Sequence, residues 1–283
     1  MKFNTEMTYG VEIEVAGDWA DSDEPEGIAN ALVDGGINAR WESYGHSTHS
    51  YWKVVYDSSC GHEIVSPILR GYEGLNKLEK VCTILRDAGY TVNSRCGFHV
   101  HHGIRHLSQK QIRNIYLLAI KWENVIDRLV SPSRRGNQYC ESISNDAKTL
   151  GEVRGCMNLL AERGHVHYSM RVIPGRFYKV NPESFSRYGT IEFRQHQGTL
   201  DFDKMRFWII MTQNLVTRAM GKVSSKLKTE SSISFKRFCD WIGTTGKYVE
   251  KTPHVIAAVK TMKERWNHFN GKGVQYDSCL NSW

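Results

Sequence analysis

Three short stretches each set two side chains able to hold a metal or a phosphate two residues apart. They are Glu12 and Glu14 in "GVEIEV", His99 and His101 in "GFHVHH", and Glu192 and Arg194 in "TIEFRQH". Side chains alternate between the faces of a strand, so residues at i and i+2 share one face. Val11, Ile13 and Val15, then Phe98, Val100 and His102, then Ile191 and Phe193, take the opposite faces, where they can pack into a core. On this alternation His196 continues the polar row of Glu192 and Arg194. Glu63 in "GHEIVSP" adds an acid on a fourth strand. Each feature alone has an ordinary explanation: a solvated face, a satisfied histidine, a cross-strand ion pair. Four chain-distant strands that all carry carboxylate, imidazole or guanidinium on a polar face point instead to one cavity.

The chemistry of such a cavity follows from its donors. Four carboxylates with one or two imidazoles are mostly hard oxygen ligands, which suit Mg²⁺ or Mn²⁺ better than zinc. They can neutralise two divalent cations, and two cations beside an arginine form a receptacle for polyphosphate. Arg171, Arg176, Lys179 and Arg187 are read as pointing the same way. Neither G-x-x-x-x-G-K-[ST] nor G-x-G-x-x-G occurs, so a nucleotide would be held by metal and arginines instead of a glycine loop. A zinc hydrolase built on His99, His101 and Glu192 is the chemical alternative, since two histidines and a glutamate are a known catalytic zinc set.

The elements that must position these residues can be read from pattern. Residues 7–17 alternate as a strand, and Pro25 and Gly35–Gly36 bracket a short helix. "NARWESYG", "YWKVVYDSS" and "HEIVSPIL" read as strands, the last stopped by Pro67. Leu75, Leu78, Val81, Cys82 and Leu85 follow helical spacing. Ser108 and Gln111 form a capping-box pattern ahead of a helix over 108–130. Residues 131–148 are expected to be a mobile polar loop and a candidate lid, with Arg134 and Arg135 reaching phosphates. A helix over 149–163, strands over 165–181 and 189–200, helices at 203–220, 234–243 and 253–269, and a tail from 271 complete the chain. Without strict βαβ alternation, this order indicates one α+β domain with a largely antiparallel sheet.

Composition narrows the class. The net charge of +7 favours anionic partners, and with the "SPSRRG" loop it motivates a nucleic-acid-associated role. The seven cysteines are odd in number, widely spaced and without a C-x-x-C, which argues against a disulfide framework. No stretch approaches the ~20 apolar residues of a membrane span. The expectation is a soluble, cytoplasmic protein.

"YGVEIEV", "WKVVYDSSCGHEIVSPIL", "CGFHVHHG" and "GTIEFRQHQGTLD" together resemble, in order and rough spacing, the amidoligase family, over about residues 7–220. That family is similar to glutamate–cysteine ligases and, more distantly, to glutamine synthetase. The resemblance implies a curved, mainly antiparallel β-sheet cup with helices outside. It also implies one catalytic domain over 1–283, with 221–283 a helical C-terminal extension. The implied reaction is ATP-dependent: a carboxylate is phosphorylated, and an amine attacks the acyl phosphate to give an amide.

By motif, Glu12, His99 and Glu192 resemble ligands of one Mg²⁺ or Mn²⁺, and Glu14 and Glu63 of another. Arg194 resembles the residue that stabilises the transferring phosphoryl group, and His101 a phosphate contact. Arg176 and Asn181 fall where related enzymes carry an arginine and an asparagine. Asp57–Ser58 resembles a substrate-contacting segment, and His196 and Thr199 extend the comparison. A guanidine phosphotransferase of the same broad fold is the runner-up. The acid and the amine, on a small molecule or a macromolecule, and the oligomeric state are left open.

Overall fold

The structure, a computed structural model, describes residues 1–17, 24–43, 45, 47–142, 176–181, 183–223 and 234–271. The helix expected at 149–163, Arg171, the loop beyond residue 142, most of the strand expected over 165–181 and the tail beyond Gly271 lie outside these residues.

Among the described residues, eight strands form a single open sheet. They are β1 (Thr8–Ala16), β2 (Ala39–Trp41), β3 (Trp52–Asp57), β4 (Gly61–Val65), β5 (Leu69–Arg70), β6 (Gly97–Gly103), β7 (Val180–Asn181) and β8 (Thr190–Gln197). The order is β2-β3-β4-β1-β6-β8-β7, with β5 paired to β1. All pairings are antiparallel except β2 with β3. β1 thus lies between β4 and β6, and β8 lies next to β6, so the four segments that carry the acid and histidine pairs become neighbours.

The helices are α1 (Glu24–Asp34), α2 (Gly71–Asp87), α3 (Gln109–Ile126), α4 (Ser184–Tyr188), α5 (Phe202–Ala219), α6 (Phe235–Ile242) and α7 (Pro253–Asn270). Their ends are set by local chemistry. Ser108 accepts from the Gln111 backbone N–H while Gln111 returns a bond to the Ser108 backbone, the expected capping box. Asp201 caps α5 through the N–H groups of Asp203 and Lys204. Gly243, at φ 81°, closes α6 in the left-handed conformation that a side chain disfavours.

One sheet face is apolar. Val11, Ile13, Phe98, Val100, Ile191 and Phe193 are buried in one hydrophobic cluster with residues of α2, α3, α5 and α7. α3 and α7 both pack on α5. Among the described residues no helix is long and apolar enough to cross a membrane. The strand and helix assignments fit the sequence patterns closely. The main local difference is at 131–142, where a turn of 3-10 helix (Pro132–Arg134) buries Arg134 in place of a wholly solvated loop.

Candidate active site

The polar face of the sheet floors a cavity of about 730 Å³, within the size range of ligand sites. The register explains its composition. Glu14 is opposite Glu63, Glu12 is opposite His99, and His101 is opposite Glu192, which is in turn opposite Asn181. Because cross-strand partners point to the same face, the three pairs and Glu63 are forced together. All seven side chains, with Asn181, line the cavity.

Histidines separate the acids. His99 Nδ1 lies 2.9 Å from Glu12 Oε2 and 3.6 Å from Glu192 Oε1, and its Nε2 lies 3.4 Å from Glu14 Oε1. His101 Nε2 meets Glu12 Oε1 at 3.1 Å and its Nδ1 meets Thr190 Oγ1 at 3.0 Å. Asn181 Nδ2 donates to Glu192 Oε2 at 2.7 Å, and the Arg194 guanidinium pairs with Glu192 Oε1. The Gly97 N–H donates to Glu14 Oε2.

These contacts set the charges. Burial opposes ionisation of Glu12, yet His101 and His99 hold its carboxyl well below the usual value. Burial, followed by the charges of Glu12, Glu14 and Asp57, pushes Glu63 well above it. Burial lowers His101, but Glu12 and Glu192 outweigh it and raise the imidazole. Arg194, despite burial, is raised by Glu192 and Glu12 and stays charged.

Among the described residues, three groups of ligand atoms converge within 4.8 Å: Glu12, Glu63 and His99; Glu12, His101 and Glu192; and Glu14, Asp57 and Cys60. The first two each combine two carboxylates with one imidazole, a donor set that fits a hard divalent cation. In the third, burial and then Glu14 and Asp57 push the Cys60 thiol up, so it stays protonated and is a poor ligand. The structure therefore puts His101 with a carboxylate pair, where the sequence indicated a phosphate contact. It also groups Glu63 with Glu12 and His99.

Other expected residues sort by face. Arg176 and Arg187 line the cavity and are exposed, with Arg176 over the Phe177 ring at 5.1 Å. Asp57 and Ser58 line it too. Lys179 does not: it is buried on the other side, with Nζ 2.7 Å from Glu123 Oε1 and 2.8 Å from Asp127 Oδ1 on the α3 side. Arg135 turns away to the Phe269 ring at 5.8 Å.

His196 is also displaced from the polar row. Val100 pairs with Phe193 but Phe98 with His196, so β8 spends three residues where β6 spends two. This bulge reverses the alternation beyond Arg194. His196 is consequently buried against Phe98 and Trp208. Thr199 accepts from the Asp201 N–H at the start of α5 and is not part of the cavity wall. His102 faces the core as expected, with Nε2 2.8 Å from Thr212 Oγ1. Arg134, expected on a mobile loop within reach of phosphates, does line the cavity, but it is buried there, and nothing in "SPSRRG" signals burial.

Comparison with protein families matches residues 5–216 to the family described as "Putative amidoligase enzyme". A search of curated proteins gave no match.

Proposed function

The chain belongs to the amidoligase enzyme family, and from that premise we propose that it joins a carboxylate to an amine at the expense of ATP, through an acyl phosphate. The observation that carries this reading is the convergence of Glu12, Glu14, Glu63 and Glu192, from three different strands, on one cavity beside Arg194. Such a density of acid is costly unless cations neutralise it, and the raised Glu63 carboxyl registers that cost.

In this reading the sheet is the floor of an ATP cup, and residues 1–283 act as one catalytic domain with 221–283 as its helical extension. Glu12, Glu63 and His99 would hold one Mg²⁺ or Mn²⁺, and Glu12, His101 and Glu192 a second, with Glu14 closing the site behind His99. Those cations would offset phosphate charge and align the γ-phosphoryl group with the carboxylate.

The chain's own groups supply the rest. Asn181 fixes one oxygen of Glu192, and Glu192 fixes the Arg194 guanidinium. A planar, permanently charged group is thereby aimed into the cavity, where it can offset charge as the phosphoryl moves. Arg176 stands at the exposed edge, free to approach a phosphate. In the second step the amine nitrogen attacks the acyl carbon. The C–N bond forms, the C–O bond breaks, phosphate leaves with the electron pair, and the amine proton passes to a base or water.

The test is a product assay on the purified full chain with a panel of acid–amine pairs. ADP should form only with Mg²⁺ or Mn²⁺ and a productive pair, and mass spectrometry should find the amide, which is the two substrates less water. Undiminished turnover in Glu192→Ala would sink the site assignment. A phosphorylated guanidine as product would favour the phosphotransferase, and tightly held zinc without nucleotide binding the hydrolase.

A further inference from the structure

Arg134 is 2% exposed and lines the cavity. Its Nη2 donates to the Arg194 carbonyl at 2.6 Å, while its Nε is buried with no partner among the described residues. Among those residues no carboxylate oxygen lies within 4.0 Å of its guanidinium. A guanidinium carries five N–H donors, and burying a charge without a counter-ion is unfavourable by several kcal/mol. The other deeply buried arginines are satisfied differently. Arg194 is paired with Glu192, and Arg265 spends its donors on Leu129 and Gln197 between the rings of Phe207 and Phe269.

The surroundings of Arg134 place it at one end of the cavity. A Cβ on Gly97 would come within 2.7 Å of His99 Nε2, 3.0 Å of Arg134 Nη2 and 3.4 Å of Glu14 Oε2. Those atoms already fill the place that a side chain at residue 97 would take, so the bare backbone there is what lets the guanidinium approach the Glu14 end of the acid cluster. By register the β3–β4 turn with Ser58 and Ser59, and Arg95 just before β6, lie at this same end, and all three line the cavity.

We propose that Arg134 is a built-in anion receptor that takes an oxyanion of the substrates from the cavity it lines: the carboxylate to be activated, or the phosphoryl group transferred to it. This deepens the ligase reading and rests on it for the identity of the anion. Among the described residues the charge has no counter-ion, and the substrate would supply one. The fork geometry of arginine suits either group, whereas lysine would offer a point charge.

The experiment is calorimetric titration of the full chain, R134K and R134Q with inorganic phosphate and, separately, glutarate. Each is done in the presence of Mg²⁺ and ADP, with thermal melts to verify folding. We expect one probe to bind the wild type, R134Q to lose on the order of 10–100-fold in affinity for it, and R134K to lose less. Loss confined to phosphate assigns the phosphoryl group, and loss confined to glutarate the carboxylate. Wild-type affinity in folded R134Q, or binding of neither probe to the wild type, overturns the proposal. If R134Q does not fold, R134K carries the comparison, and unchanged affinity there overturns it equally. The ADP titration separates the two ideas. Absent nucleotide binding with an intact Arg134 effect removes the ligase reading alone, and normal nucleotide binding without that effect removes this inference alone.

Discussion

Glu63 and His102 sit on opposite faces of one sheet and respond to burial in opposite ways. Glu63 is surrounded by acids, and its carboxyl is raised by burial and by Glu12, Glu14 and Asp57. Replacing it with glutamine removes that like-charge conflict. Glu63→Gln should therefore raise the thermal midpoint of metal-free protein at pH 8 and abolish the further rise given by Mn²⁺. The Mn²⁺ rise in the wild type would correspond to about 2.7 kcal/mol at one hundred times Kd. A lower metal-free midpoint in E63Q would contradict the charge reading. His102 is lowered to about 3 by burial and then by His101. The unfolded imidazole, near its ordinary value, takes up a proton that the folded one refuses. The sign is thus loss of stability as pH falls from about 6.5 toward 3, with a ceiling of roughly 5 kcal/mol. Urea midpoints measured over that range should fall less steeply in His102→Gln than in the wild type. Parallel slopes would remove His102 as the cause. The presence of these residues, and the opposed faces of His101 and His102, were legible from period-two alternation. Their protonation was not, because it depends on neighbours from other strands.

The bulge in β8 and the lysine behind it show where element-level reading stops. "TIEFR" alternates polar with apolar and His196 falls on the polar count, but alternation assumes an unbroken ladder. One extra residue in β8 turns His196 toward the core, the side that Gln195 already takes by alternation, and leaves Arg194 as the last β8 side chain lining the cavity. No residue type in the motif marks this. Lys179 is the related case. Its backbone carbonyl accepts from the Arg194 N–H at 2.9 Å, while its side chain reaches Glu123 and Asp127 on the α3 side. It ties α3 to the strand pair that carries Glu192 and Arg194. Lys179→Ala would strand two carboxylates beneath the sheet, and should destabilise by about 3–5 kcal/mol in urea unfolding. Adding Glu123→Gln and Asp127→Asn should recover much of that loss. A loss in K179A no larger than that of a surface lysine would show that the pair is unimportant.

At the scale of the whole molecule, the family match ends at residue 216 but the packing does not. Val255, Ala258, Val259, Met262 and Trp266 of α7 are buried in the same cluster as the sheet, and Trp266 stacks on Phe235 of α6 at 4.2 Å. Arg265 holds the Leu129 carbonyl and Gln197, and the Glu250 side chain accepts from the Phe3 N–H at 3.0 Å and from the Tyr72 hydroxyl. Residues beyond 220 thus complete the core and join it to β1 through the chain's first residues. A chain ending at residue 220 should lose the cooperative thermal transition that the full chain shows. A truncated protein that melts with the full-length midpoint would mean that α6 and α7 are dispensable.

The sequence by itself determined the alternation of β1, β6 and β8, the helix cap at Ser108, and the set of side chains able to bind metal and phosphate. Each of these follows from short-range geometry: a period, a cap or a spacing within one segment. The tertiary structure decided which acids converge with His99 and His101, where β8 breaks register, that Lys179 belongs to the core, and that Arg134 is buried without a counter-ion among the described residues. Those outcomes depend on strand order and register between segments far apart in the chain. A local pattern places a side chain on a face, but only the pairing of strands decides what stands opposite it.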